Sequence, residues 1–249
     1  MSPSPQPGRA QGTFLLMILL SWIAGSLPLV GAILDWFVTY FHEVSHGIIS
    51  ILTGGHVSRL ALLPNGSGFV LAEGGVRVAT LLAGYAGAFL WGALLYISAF
   101  SSSGPMARIV GLALVMMMGL TGLVWAEAGD ATTFLILLTL MAVLGGGLVL
   151  GRSRFARHAI MFLGVYVLVR GLDLTLNLHG VMGLRRLPDS ARHNDAVFLA
   201  EITGIAPRVW TFAWVALGVL VLYRLWVWAA TVDARGAWVR RTGPVRGVR

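Results

Sequence analysis

Apolar residues run through this chain in blocks of about twenty, the length that carries a helix across a hydrocarbon core of about 30 Å. The blocks fall at 13–34, 35–53, 75–100, 106–126, 131–150, 156–178 and 208–230, so the pattern predicts about seven transmembrane helices. One interval breaks it. Between 54 and 75, apolar and polar positions alternate around Asn65-Gly66, the period of a strand and the dipeptide of a tight turn, which predicts a β-hairpin between spans two and three. Backbone at membrane depth is tolerated only where protein buries it or it lines a cavity, so this hairpin belongs at the rim of a site or on the membrane surface. The fold class expected is an all-α polytopic membrane protein carrying one small hairpin. Residues 1–12 are Pro-rich and polar and predict a flexible tail. Residues 13–232 read as a single transmembrane domain and 233–249 as a basic tail. The first apolar block is longer than a secretory h-region and lacks a small-x-small cleavage site, so it reads as a retained span.

Composition agrees with a bilayer: 57% of residues are hydrophobic and 11% charged, with a mean hydropathy of +0.82, against roughly 25% charged in a soluble domain. All 18 basic residues are arginine and 10 acidic residues leave a net charge of +8. That charge is no mark of nucleic-acid binding. The arginines gather in short loops and in the tail from Arg235 to Arg249, where basic residues flank spans beside anionic lipid. Seven spans would put Arg9, Arg59, Arg77, Arg185, Arg186, Arg192 and Arg208 on one side, against nine arginines on the other, which fixes no orientation. There is no cysteine, so a bound metal would rely on histidine, carboxylate or water.

The six histidines therefore matter. Two of them lie in Tyr40-Phe-His-Glu-Val-Ser-His-Gly47, inside an otherwise apolar helix. His42 and His46, at i and i+4, project from one face a turn apart, so both imidazoles can reach one tetrahedral ion. Glu43 stands beside them, where a carboxylate can take a proton from water activated by the metal. With six His and four Glu in the chain, chance gives His-Glu-x-x-His in about two such chains in a thousand, so the motif carries information. Three ionisable side chains in a membrane helix are costly unless they face a cavity, a partner or an ion. The alternative is interhelical hydrogen bonding by the histidines, with Glu43 paired to an arginine such as Arg170.

Phe41-His-Glu-Val-Ser-His-Gly, Leu52-Thr-Gly-Gly-His56, Leu63-Pro-Asn-Gly-Ser-Gly68 and Ala83-Gly-Tyr-Ala-Gly87, with Asn194-Asp-Ala, Leu199-Ala-Glu-Ile-Thr-Gly204 and Trp210, resemble the peptidase M50B-like membrane proteins, relatives of the site-2 proteases. The resemblance touches most of the chain beyond the N-terminal tail. It implies an intramembrane metalloprotease in which two His and one Asp hold Zn2+ and the motif Glu is the base. It also implies a membrane-protein substrate and a bacterial plasma membrane. The sequence departs from the pattern in one place: the Asn-x-x-Pro-x-x-x-Leu-Asp-Gly segment that supplies the third ligand in site-2 proteases is absent.

Two residues compete for that third position. Asp173 lies inside the sixth span, with Arg170 three residues earlier as a neutralising partner. Asp195 precedes an apolar helical run, where it could act as an N-cap, yet its Asp-Ala segment stands where the family has Leu-Asp-Gly. Four crossings separate span two from the loop after span six, so both can approach His42 and His46. His56 reads as a rim histidine, a fourth ligand being the alternative. Asn65 is a candidate oxyanion donor or simply a turn residue. Gly84, Gly87 and Gly92 read as close-packing positions, and His158, His179 and His193 as solvated loop residues. Two further functions use the same residues without hydrolysis: a membrane metal-binding or transport protein, and an inactive scaffold.

Overall fold

The computed structural model describes residues 8–184, 188 and 193–242. Arg185, Arg186, Arg192 and the outer parts of both expected tails lie outside them. Eight helices and two strands follow in order: α1 Arg9–Ser26, α2 Pro28–Leu52, β1 His56–Leu62, β2 Gly68–Glu73, α3 Arg77–Ser101, α4 Gly104–Trp125, α5 Ala131–Leu150, α6 Ser153–Val181, α7 Asp195–Thr203 and α8 Pro207–Thr242. Helix α1 starts at Arg9, inside the segment expected as tail, and α8 runs on through Asp233 to Thr242.

Against the expected count of about seven spans, the described residues give five, or six if one bent pair of helices counts as a span. Five helices are individually long and apolar enough to cross a membrane, while α1 and α2 form one bent pair, turned through 114°. Pro28 is the physical cause. It lacks an N–H and biases the residue before it away from helix, and Leu27 is extended at φ −86° and ψ 115°. The corner is tight enough that a Cβ on Gly31 would lie 2.7 Å from the Gly25 carbonyl oxygen. The start of α1 lies against the end of the α8 span. The buried Asp233 carboxylate accepts the backbone N–H groups of Ala10, at 3.0 and 3.2 Å, and Gln11, at 3.3 Å, satisfying amides that open a helix without intrahelical partners. Arg9 therefore shares a side with the C-terminal end of α8, not with Arg59 and Arg77.

Helix α6 forms the centre of the bundle and packs against α1, α2, α3, α4, α5 and α8. At its crossing with α3, a Cβ on Gly92 would sit 2.7 Å from the Gly164 carbonyl and one on Gly164 2.6 Å from the Gly92 carbonyl. Glycine at both positions lets the backbones meet, as small residues do in membrane bundles. Outward positions such as Leu123 and Leu150 remain exposed, as a lipid-facing surface requires.

The hairpin forms as the alternation predicts. β1 and β2 pair antiparallel, with Leu60 opposite Val70 and Leu62 opposite Gly68, and Gly66 takes a positive φ of 85° at the turn. It lies against protein. Leu60 and Leu62 are fully buried, the Leu62 amide donates to Thr133 Oγ1 at 2.9 Å, and Trp36 Nε1 donates to the Leu63 carbonyl at 3.0 Å. Leu60 bridges to Ala126, and Arg59 pairs with Glu127 at 2.8 Å and Asp130 at 3.4 Å in the α4–α5 loop. These links lead to α2, to α5 and to the α4–α5 loop, and β2 pairs with no strand but β1 among the described residues, so its outer edge is free of strand partners.

Candidate metal centre

His42 and His46 occupy successive turns of α2, and their Nε2 atoms stand 3.0 Å apart. The third group arrives from α7. Asp195 Oδ2 lies 3.1 Å from His42 Nε2 and 3.3 Å from His46 Nε2. These are the three residues whose ligand atoms fall within 4.8 Å of one another among the described residues. Ligand atoms 2.0–2.1 Å from a tetrahedral zinc are themselves about 3.3 Å apart, so the triangle fits one face of such a coordination sphere and leaves a fourth corner open.

Local sequence explains how each group is aimed. His46 Nδ1 donates to the Thr80 carbonyl of α3 at 2.7 Å, which fixes the tautomer and turns the Nε2 lone pair toward the cluster. Asp195 does not cap α7. Asn194 does, its Oδ1 accepting the amides of Ala196 at 2.9 Å and Val197 at 3.2 Å. Asp195 is thereby left as the first helical residue with its carboxylate free for the histidines, at the helix end whose dipole favours negative charge. Burial pushes the Asp195 carboxyl up, but the charges and hydrogen bonds of His46 and His42 outweigh it and hold the carboxyl well below the usual carboxylate range.

Glu43 is 6% exposed, and the backbone of Val70 in β2 lies near its carboxylate. Gly84 completes the pocket. A Cβ there would come within 2.5 Å of His42 Cε1 and 2.6 Å of His46 Cε1, so the close packing expected of this glycine is packing of α3 directly onto both imidazoles.

Asp173 belongs to a separate cluster. Arg170 binds it and also reaches across to Asp35 of α2, with Nε–Oδ1 and Nη2–Oδ2 both at 2.9 Å, and Tyr166 donates to the same Asp35 at 2.8 Å. Arg170 is therefore not a partner of Glu43. Charge balance could have flagged Asp35 in the sequence, since an arginine within a span needs an anion. His56 lies at the hairpin base, 3.8 Å from Glu73 and exposed, apart from the cluster. Asn65 Oδ1 accepts from Ser67 N at 3.1 Å and Ser67 Oγ at 2.7 Å, holding the turn. His158 and His179 are not loop residues: both lie within α6, and His179 meets Thr211 Oγ1 at 2.9 Å.

Several apolar helices long enough to cross a membrane mark a multi-pass integral membrane protein, and its cluster of His42, His46 and Asp195 could hold a metal ion. The family model described as Peptidase M50B-like matches residues 12–225, and the chain belongs to that family. Among curated proteins and among solved structures, none matches the chain.

Proposed function

We propose that this protein is a zinc-dependent intramembrane endopeptidase that hydrolyses a peptide bond in or near a transmembrane segment of another membrane protein. His42, His46 and Asp195 hold the ion in this reading, and Glu43 is the general base. The observation that carries it is the convergence of three ligand atoms from α2 and α7 beside a buried carboxylate that is not one of them. On family resemblance alone, we assign it to a bacterial plasma membrane.

The bound ion supplies Lewis acidity, polarising a carbonyl and lowering the pKa of a water toward ~7. Everything else falls to the chain. Glu43 takes a proton from the attacking water, the water oxygen bonds to the carbonyl carbon, and the proton passes to the amide nitrogen as the C–N bond breaks. The free edge of β2 supports delivery of the substrate as an added strand, because a peptide bond inside an intact helix is shielded from attack.

The test is cleavage of a single-span fluorogenic peptide in vesicles containing the purified, zinc-loaded protein. Glu43→Gln should abolish cleavage while leaving zinc content at the wild-type level, whereas His46→Ala should lose both. A metal carrier or an inactive scaffold needs no base beside its ligands, so full cleavage by Glu43→Gln, or none by wild type, would reject the peptidase reading.

A further inference from the structure

Hydrolysis needs more than a base and an ion: negative charge develops on the scissile carbonyl oxygen, and a preorganised donor aimed at that oxygen is worth a large factor in rate. Most polar side chains around the cluster are already engaged. Thr80 Oγ1 donates to the Val76 carbonyl and Ser45 Oγ to the Phe41 carbonyl. Arg59 is paired with Glu127 and Asp130, and Arg170 with Asp35 and Asp173. The carbonyl of Asn65 is tied into the hairpin turn.

Tyr85 is the exception. It follows Gly84 on α3, and its ring stands edge-on to His42, with centroids 4.6 Å apart and planes at 78°. Trp214 of α8 packs on the ring at 4.9 Å and is itself anchored by its Nε1–H, which donates to the Leu82 carbonyl at 3.3 Å. The ring is thus held against a cluster histidine from one side and an anchored indole from another. Its hydroxyl has no hydrogen-bond partner among the described residues, although a half-buried tyrosine ordinarily finds one. Tyr40 and Tyr166 do, with Thr121 and Asp35. The unpaired hydroxyl of Tyr96 lies three turns further along α3, among Phe14, Phe100 and Trp228. The ring contact with His42 places Tyr85 beside the cluster.

Building on the hydrolytic reading above, we propose that Tyr85 is a second catalytic residue whose hydroxyl donates a hydrogen bond to the scissile carbonyl oxygen as that oxygen becomes an oxyanion. As water oxygen bonds to the carbonyl carbon, the C=O π pair moves onto oxygen and shortens its contact with the Tyr85 O–H. When the pair returns, the C–N bond breaks, and the amine leaves with the proton carried by Glu43. Tyr85 keeps its own proton throughout. This donor serves the transition state and not the ground state, so its loss should lower kcat and leave KM in place.

Tyr85→Phe tests this, because it keeps the ring and its packing and removes only the hydroxyl. In zinc-loaded protein reconstituted with the single-span fluorogenic peptide, kcat should fall about 100-fold with KM within about twofold of wild type. Zinc content and thermal midpoint should stay unchanged. A phosphinic peptide, which carries the tetrahedral geometry, should lose affinity in proportion to kcat, while a hydroxamate that binds through the metal should not. Wild-type kcat in Tyr85→Phe overturns the proposal, and so does a fall accompanied by lost zinc, because either result leaves Tyr85 a packing residue. If wild type cleaves, Glu43→Gln does not, and Tyr85→Phe matches wild type, Tyr85 alone is rejected. If zinc-loaded wild type is as inert as Glu43→Gln, the hydrolytic reading falls and takes the Tyr85 role with it.

Discussion

Gly84 faces His42 so closely that a single added methyl carbon would lie 2.5 Å from the imidazole Cε1. Neither side can yield cheaply, because His46, touched by the same carbon at 2.6 Å, is pinned through its Nδ1 to Thr80. Gly84→Ala should therefore disturb the metal site before it disturbs the fold. We expect zinc content and cleavage to fall at least tenfold with a modest loss of thermal stability, since overpacking costs roughly 1–3 kcal/mol. Gly92→Ala, at the α3–α6 crossing, should do the reverse and lower the thermal midpoint while the residual folded protein still binds zinc. Metal analysis beside a thermal melt separates the two.

Arg170 joins α6 to the first half of α2 through Asp35 and takes Asp173 as a second anion. Removing the cation leaves two partly buried carboxylates facing each other. Arg170→Met should destabilise the bundle by about 2–4 kcal/mol, below the upper range for a fully buried pair because all three side chains retain some exposure. The triple variant with Asp35→Asn and Asp173→Asn should recover much of that loss. Denaturant titration in micelles measures both, and a triple variant no more stable than Arg170→Met would show that charge is not what holds this contact.

Asn194 and Asp195 divide two tasks that the sequence alone left entangled. Asn194→Ala removes the cap of α7 and should cost about 1 kcal/mol, with weaker zinc affinity because Asp195 loses its fixed position. Asn194→Asp should restore the cap and most of the affinity. A competition titration against a chelator reads the difference.

Asp130 gives the hairpin's dock an acid limit. The Thr133 backbone amide, then the Thr133 hydroxyl and Arg59, outweigh burial and hold the Asp130 carboxyl below its ordinary value. A carboxyl lowered by folding contributes stability that is complete above its unfolded pKa of about 3.9 and is lost as pH falls through the folded value. The α4–α5 loop and β1 should therefore loosen only below about pH 4, and Asp130→Asn should remove that part of the acid limb. Hydrogen exchange of the Leu62 amide, which donates to Thr133, should report it.

Much of this architecture was legible in the sequence because bilayers impose simple rules. Apolar block length marks spans, and alternation around Asn65-Gly66 marks a hairpin. The His-Glu-x-x-His spacing follows from helical geometry. What block length could not reveal was direction. Residues 13–34 and 35–53 read as two crossings, and only the geometry at Leu27-Pro28 shows them as one pair of helices bent through 114°. Pairing was equally hidden. Asp173 and Asp195 have similar local claims, and the choice between them depends on Asp35, a residue that the periodicity absorbed into a span without remark. Tyr85 was invisible because a tyrosine in an apolar block looks like packing until its neighbours are known.

In the proposed mechanism, two α2 imidazoles and the first residue of α7 bind one zinc ion. Metal analysis and X-ray absorption on purified wild type, Asp195→Ala and Asp173→Ala test it most directly. We expect one zinc per wild-type chain, coordinated by two imidazoles and by oxygen at roughly 2.0–2.2 Å, an unchanged signature in Asp173→Ala, and loss of zinc or of one oxygen ligand in Asp195→Ala. Zinc lost from Asp173→Ala but retained with an identical signature in Asp195→Ala would contradict it.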